Sequence, residues 1–184
     1  TPIDLIPLEI QKEIINQEDK RFYFHHGVDY FAALNAFFQN ASSKRIIRGA
    51  STITMQLSKI CNPNITYSFE RKLKDVINAY KIEARMSKKE ILELYLNSVP
   101  FGINSCGVTS AARSFFGKEL NELSTEQIFC LAIIPRRPTF YNPIENPENC
   151  SEMAEFLANH CKKTITKKII PMAIIEPKHS KIVI

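Results

Sequence analysis

Between Glu18 and Asp29 the chain reads EDKRFYFHHGVD, its densest concentration of groups able to do chemistry. An acid pair, a Lys-Arg pair, three aromatics, two histidines, a glycine and a further acid cannot all face a core. Something outside the fold is therefore expected to meet them. Leu8, Ile10, Ile14 and Ile15 after Pro7 predict a helix that delivers Glu18 and Asp19 at its C-terminal end. A carboxyl there meets the negative pole of the helix dipole, which disfavours ionisation and suits a base better than a structural carboxylate. Gly27 marks a turn, and Asp29 is placed to cap the next helix.

Other chemistry-bearing groups recur along the chain. GASTITMQLSKI, from Gly49 to Ile60, reads as a turn and a helix capped by Ser51, with Ile53, Leu57 and Ile60 inward. A hydroxyl-rich helix start preceded by Arg48 suits an anion, although Ser and Thr also occur there simply as caps. Arg71 and Asp75 stand four apart near the start of a long helix, the spacing of an internal ion pair. Glu93 and Asn97 share one helical face in the same way.

The elements that must position these groups are helical. Five glycines in 184 residues leave little room for the tight turns of an all-β fold. SKKE at Ser87 to Glu90 and STEQ at Ser124 to Gln127 are capping boxes, and Gly117 suits a helix stop. Phe69, Leu73, Val76, Ile77, Tyr80 and Ala84 form the expected packing face of the long helix, whose cap would be Ser68. A last helix is expected from about Glu148 to Lys162, and an extended tail after it. Tyr30, Phe31, Leu34, Phe37 and Phe38 form an apolar stripe followed by Lys44, Arg45 and Arg48. This stripe fits either a core-facing helix or an element resting on a membrane surface.

The net charge of +5 permits an anionic partner without choosing among nucleic acid, lipid headgroups and phosphorylated substrates. No DNA- or RNA-binding motif is present, so a nucleic-acid partner is not expected. Five cysteines show no zinc-ligand spacing; Cys130 reads as core, and Cys150 with Cys161 is a conceivable bridge. No run of apolar residues is long enough to span a bilayer. The chain opens at Thr1 without an initiator Met, so a membrane anchor preceding it is expected. No SxxK serine motif is present in these 184 residues.

In this order the motifs resemble the peptidoglycan glycosyltransferase family, found in class A penicillin-binding proteins and monofunctional transglycosylases. EDKRFYFHHGVD matches EDxxFxxHxGxD at Glu18, Asp19, Phe22, His25, Gly27 and Asp29. GASTITMQLSKI matches GxSTITQQLxKN at Gly49, Ser51, Thr52, Ile53, Thr54, Gln56, Leu57 and Lys59. RKLKD corresponds to RKxxE, KKEILELYLN contains KxxILExYLN from Lys88, and PRRPTFYNP resembles the last motif. The resemblance covers roughly Pro7 to Pro143. It departs from the pattern at Met55 for the first glutamine, Ile60 for asparagine and Asp75 for glutamate.

The resemblance implies an all-α, lysozyme-like domain over residues 1–184. A membrane-contacting subdomain would occupy about 30–48 and a tail 163–184. It implies polymerisation of lipid II into β-1,4-linked glycan with release of polyprenyl pyrophosphate, at the outer face of the bacterial cytoplasmic membrane. Further implied partners are the growing lipid-linked strand, moenomycin-like inhibitors and other cell-wall synthesis proteins. Glu18 would be the general base and Asp75 its partner near the pyrophosphate. Arg48, Lys59, Arg71 and, more loosely, Lys44 would bind phosphates, and Asp19 would belong to the substrate site. Ser51, Thr54 and Gln56 would shape the sugar-phosphate cleft, braced by Glu93 and Asn97. A divalent cation, Mg2+ or Mn2+, is conceivable at the pyrophosphate with Asp75 as its ligand. The competing readings are an inactive lipid II-binding homologue, retaining the phosphate cradle without catalysis, and a lysozyme-like hydrolase.

Overall fold

The computed structural model describes residues 1–43, 49–63, 69–102 and 105–160. Among these, eight α-helices follow one another: α1 Leu8–Glu18, α2 Tyr30–Ser43, α3 Ile53–Cys61, α4 Phe69–Glu83, α5 Lys88–Ser98, α6 Val108–Phe116, α7 Thr125–Ile133 and α8 Pro147–His160. Between α5 and α6 lie two short antiparallel strands, β1 Pro100–Gly102 and β2 Ser105–Cys106. The all-α expectation is therefore refined to a mostly helical fold with one small sheet. Lys44, Arg48, the Ser68 cap, Cys161 and the tail 163–184 lie outside the described residues.

One face of α1 (Ile10, Ile14, Ile15), of α3 (Ile53, Leu57) and of α5 (Ile91, Leu92, Tyr95, Leu96) meet in a single core with Val108, Ala111 and Leu131. Helix α7 is buried from Gln127 to Ile133, as befits an element apolar on every side. Its far side packs on α8 through Phe129, Cys130, Ile133, Cys150 and Ala154. Cys130 is core as expected, and Cys150 carries a free, buried thiol rather than a bridge.

Local signals set the helix ends. Both capping boxes form, at Ser87 with Glu90 and at Ser124 with Gln127. Gly117 ends α6 in the left-handed conformation, and Asp29 caps α2 by accepting from the Ala32 N–H at 2.9 Å. The expected Ser51 cap is corrected by one residue. Thr52 caps α3, its hydroxyl oxygen accepting from the Met55 N–H at 3.2 Å. That hydroxyl donates in turn to the Gly27 carbonyl at 2.6 Å, so the cap also anchors a distant turn.

Two expected faces behave differently. On α4, Leu73, Ile77 and Tyr80 are exposed, while Ala79 is fully buried and Val76 partly so. Helix α4 packs with the small side of its surface because Gly27 approaches Ala79 closely, leaving no room for a larger residue between them. On α2, Tyr30, Phe31, Leu34, Phe37 and Phe38 are all more than half exposed, which rules out a core-facing stripe. The Tyr30 and Tyr80 hydroxyls meet in a hydrogen bond, joining the two exposed aromatic faces.

Gly107 brings the start of α6 against the end of α5. Its φ is +80°, and a Cβ there would lie 2.5 Å from the Asn97 carbonyl oxygen. Gly107→Ala is expected to cost about 3 kcal/mol from left-handed strain and overpacking together. Chemical denaturation checks this, and a loss below about 1 kcal/mol would show that the backbone relaxes there.

Candidate functional site

Glu18 is the last residue of α1, and Asp19 follows as its C-cap. Asp19 is buried, accepting from His25 Nε2 through both oxygens at 3.0 and 2.9 Å and from the Ile53 N–H at 3.0 Å. It thus joins the end of α1 to the start of α3. One turn into α3, Gln56 Nε2 donates to Glu18 Oε2 at 2.7 Å. The Gln56 amide is oriented from behind by Tyr95 of α5, whose buried hydroxyl donates to Gln56 Oε1 at 3.0 Å. The other carboxylate oxygen, Glu18 Oε1, is buried and has no hydrogen-bond partner among the described residues.

Burial is the main influence on this carboxyl and pushes its pKa above the ordinary carboxylate value, with the Asp19 charge adding to the rise. The Gln56 hydrogen bond and the Arg136 charge oppose it. Desolvation thus supplies the basicity that the helix-end argument anticipated. The result is a carboxylate fixed through one oxygen and basic at the other.

A second group of charges lies between α3 and the start of α4. Lys72 Nζ donates to Ser51 Oγ at 2.7 Å, and Arg71 Nε lies 3.9 Å from Asp75 Oδ2, the predicted i,i+4 pair. The Lys72 pKa is lowered, first by burial and then by the positive charges of Lys59 and Arg71, with Asp75 opposing. A lowered ammonium pKa among neighbouring cations marks a place where an added anion would be stabilised.

Behind both groups, Glu83 Oε1 accepts from Thr54 Oγ1 at 2.7 Å and from Lys88 Nζ at 2.6 Å. Lys88 Nζ also sits 4.4 Å from the centre of the Phe22 ring. This network ties α3, α4 and α5 together.

The predicted residues therefore fall into three sets. Glu18, Asp19 and Gln56 converge around one carboxylate, and Ser51, Lys59, Arg71 and Asp75 gather around Lys72. Thr54 is fully buried and acts from behind, through Glu83. Glu93 and Asn97 hold the N-terminal segment: Glu93 Oε2 accepts from the Ile3 N–H at 2.7 Å, and Asn97 Nδ2 donates to the Thr1 carbonyl at 2.8 Å. The sequence alone does not single out Lys72, Tyr95 or Arg136. Lys72 stands within the RKxxE pattern, and a tyrosine in a buried helical face signals a hydroxyl in need of a partner.

A family profile described as Transglycosylase matches residues 1–162. The chain belongs to this family. Over 160 residues it is 39% identical to penicillin-binding protein 1A of Neisseria flavescens, covering 87% of this chain and 20% of that protein. Over 181 residues it is 38% identical to penicillin-binding protein 1A of Neisseria gonorrhoeae, covering 97% and 23%. A protein of Cupriavidus necator named as a transglycosylase is 37% identical over 156 residues, covering 85% of this chain and 67% of that one. The chain spans about a fifth of the length of the penicillin-binding relatives it matches. The transglycosylases are a family of peptidoglycan enzymes, and the mostly helical fold is consistent with their catalytic domain.

The raised Glu18 pKa has a consequence for stability. A carboxyl raised in the folded state contributes stability that is fully present below its unfolded pKa and is lost as pH rises through the folded pKa. At pH 7 the ionised side chain is thus a burden on the fold, and a neutral glutamine can still accept the Gln56 hydrogen bond. Glu18→Gln is expected to melt higher than wild type at pH 7, with the difference shrinking toward pH 4. Thermal unfolding across that range checks it, and a lower melting point at pH 7 would contradict the burial argument.

Proposed function

We propose that this transglycosylase domain polymerises lipid II into β-1,4-linked glycan strands with Glu18 as general base. A sugar hydroxyl is a weak nucleophile, so a carboxylate must take its proton as it attacks the anomeric carbon of the donor. The observation that carries the reading is the state of Glu18, held by Gln56 at one oxygen and unpartnered at the other. Attack on the face opposite the leaving group inverts an α-linked donor to a β-linked product. The departing pyrophosphate gains charge, which Lys59, Arg71 and Lys72 are placed to stabilise. Arg48 and Lys44 are proposed as further phosphate contacts.

The donor set around Asp75 fits an incoming anion better than a resident metal. Asp75 is paired with Arg71, and no cluster of three metal-ligating side chains occurs among the described residues. Mg2+ or Mn2+ would be proposed only as an ion arriving with the pyrophosphate, with Asp75 as its protein ligand, and no step here depends on it.

The exposed aromatic face of α2 supports the proposal that the domain rests on a membrane surface, as a lipid-linked substrate requires. No helix among the described residues is long and apolar enough to cross a membrane. A lysozyme-like arrangement, with residues about 30–48 forming the membrane-contacting subdomain, belongs to the same proposal. So do a location at the outer face of the cytoplasmic membrane, a growing glycan strand as acceptor, inhibition by moenomycin-like phosphoglycolipids and contact with other cell-wall synthesis proteins. The second reading, a lipid II binder without turnover, is favoured by one observation. Asp75 is a methylene shorter than glutamate and is drawn toward Arg71.

Two substitutions separate these readings in a lipid II polymerisation assay. Glu18→Gln is expected to lower turnover by about 10² to 10⁴-fold while lipid II still binds; near-normal product would remove Glu18 from the role of base. Asp75→Glu is expected to preserve or raise turnover. A loss of about 10²-fold would show that the surroundings have adapted to aspartate.

A further inference from the structure

After α7 the chain turns through Ile134–Arg136 and carries two adjacent arginines, which the fold sends to different places. The Arg137 guanidinium lies 4.3 Å from the centre of the Phe140 ring, stacked on its own turn. Arg136 instead reaches across to the end of α1, where its Nη1 donates to Gln17 Oε1 at 3.2 Å. Gln17 is the residue immediately before Glu18. The crossing is built into the core, because α7 packs along α1 and delivers the turn to that end.

The groups facing Glu18 can be taken element by element. Its own helix end contributes the Asp19 carboxylate, α3 the neutral Gln56 amide and α5 the Tyr95 hydroxyl, itself engaged with Gln56. The turn after α7 contributes Arg136, the cation that acts on Glu18 among the described residues. The cations Lys59, near the end of α3, and Arg71, near the start of α4, act on Lys72. Burial and Asp19 both disfavour an ionised Glu18, and a base that is already protonated cannot accept the acceptor's proton.

We propose that Arg136 is a positioning residue for the transfer reaction, anchored on Gln17 so that its guanidinium stands beside the buried Glu18 carboxylate that takes the proton. This rests on the reading of Glu18 as general base. Arg136 acts through Glu18 and need not touch the sugar. Its own exposure makes the effect moderate and sensitive to salt.

The test is the pH dependence of kcat/KM for lipid II polymerisation, which reports ionisations of the free enzyme. It is measured for wild type, Arg136→Ala, Arg136→Lys and Glu18→Gln. Arg136→Ala is expected to move the acidic limb up by roughly half a unit to one unit, with several-fold loss at the acid end and recovery toward wild type at high pH. Arg136→Lys should restore most of the limb. Added salt should move the wild-type limb in the same direction as the alanine variant. A uniform loss at every pH, with the limb unmoved, would overturn the role of Arg136 and leave Glu18 as base intact. Near-normal turnover by Glu18→Gln would instead remove the base, and the proposal with it.

Discussion

The site depends on one buried carboxylate that joins two helices. Asp19 receives the His25 imidazole and the first N–H of α3, so the C-terminal end of one helix and the N-terminal end of another close on the same group. The arrangement is electrostatically sound. A negative charge at the start of α3 meets the positive pole of that helix, and its position at the end of α1 is offset by the histidine and backbone donors. With α1 and α3 joined there, Glu18 and Gln56 are neighbours by construction. The proposed base is thus located by the carboxylate beside it.

Around this junction the polar groups form two layers with different roles. The inner layer, buried Thr54 with half-buried Glu83 and Lys88, is mutually hydrogen-bonded and ties α3, α4 and α5 together. The outer layer is deliberately incomplete: Glu18 keeps an unpartnered oxygen, and Lys72 sits among other cations. A buried carboxylate oxygen without a partner is costly, and its persistence is what a site awaiting a ligand requires. Tyr95 links the layers, a core residue whose hydroxyl aims the amide that holds Glu18.

How much of this was readable from sequence follows from the range of each interaction. The two capping boxes, the Asp29 cap, the Gly117 stop and the Arg71–Asp75 pair depend on residues three or four apart, and local pattern sufficed. The cap of α3 was misplaced by one residue because Ser51 and Thr52 are equal candidates locally. What decides between them is a carbonyl 25 residues away at Gly27 and the claim of Lys72 on Ser51. The inward face of α4 was misjudged because its large apolar residues suggested a core, whereas the close approach of Gly27 selects Ala79. The Arg136 contact spans 119 positions and could be seen only once α7 lay along α1. Glu18 itself was legible because the helix end and the motif pointed to the same residue.

The aromatic face of α2 carries a further implication. Helix α2 is capped by Asp29, and Arg21 both pairs with Asp29 at 3.6 Å and stacks over Phe31 at 4.4 Å. The segment that follows Glu18 therefore also sets the direction of the exposed face. Laid on a bilayer, that face would hold the cleft at one height and one tilt above the headgroups. Encounter with a lipid-tethered sugar would then be a search in a plane, with reactants arriving already oriented. Depth in the membrane and aim at the substrate would thus be a single geometric variable, and a change in how α2 leaves Asp29 would alter both at once.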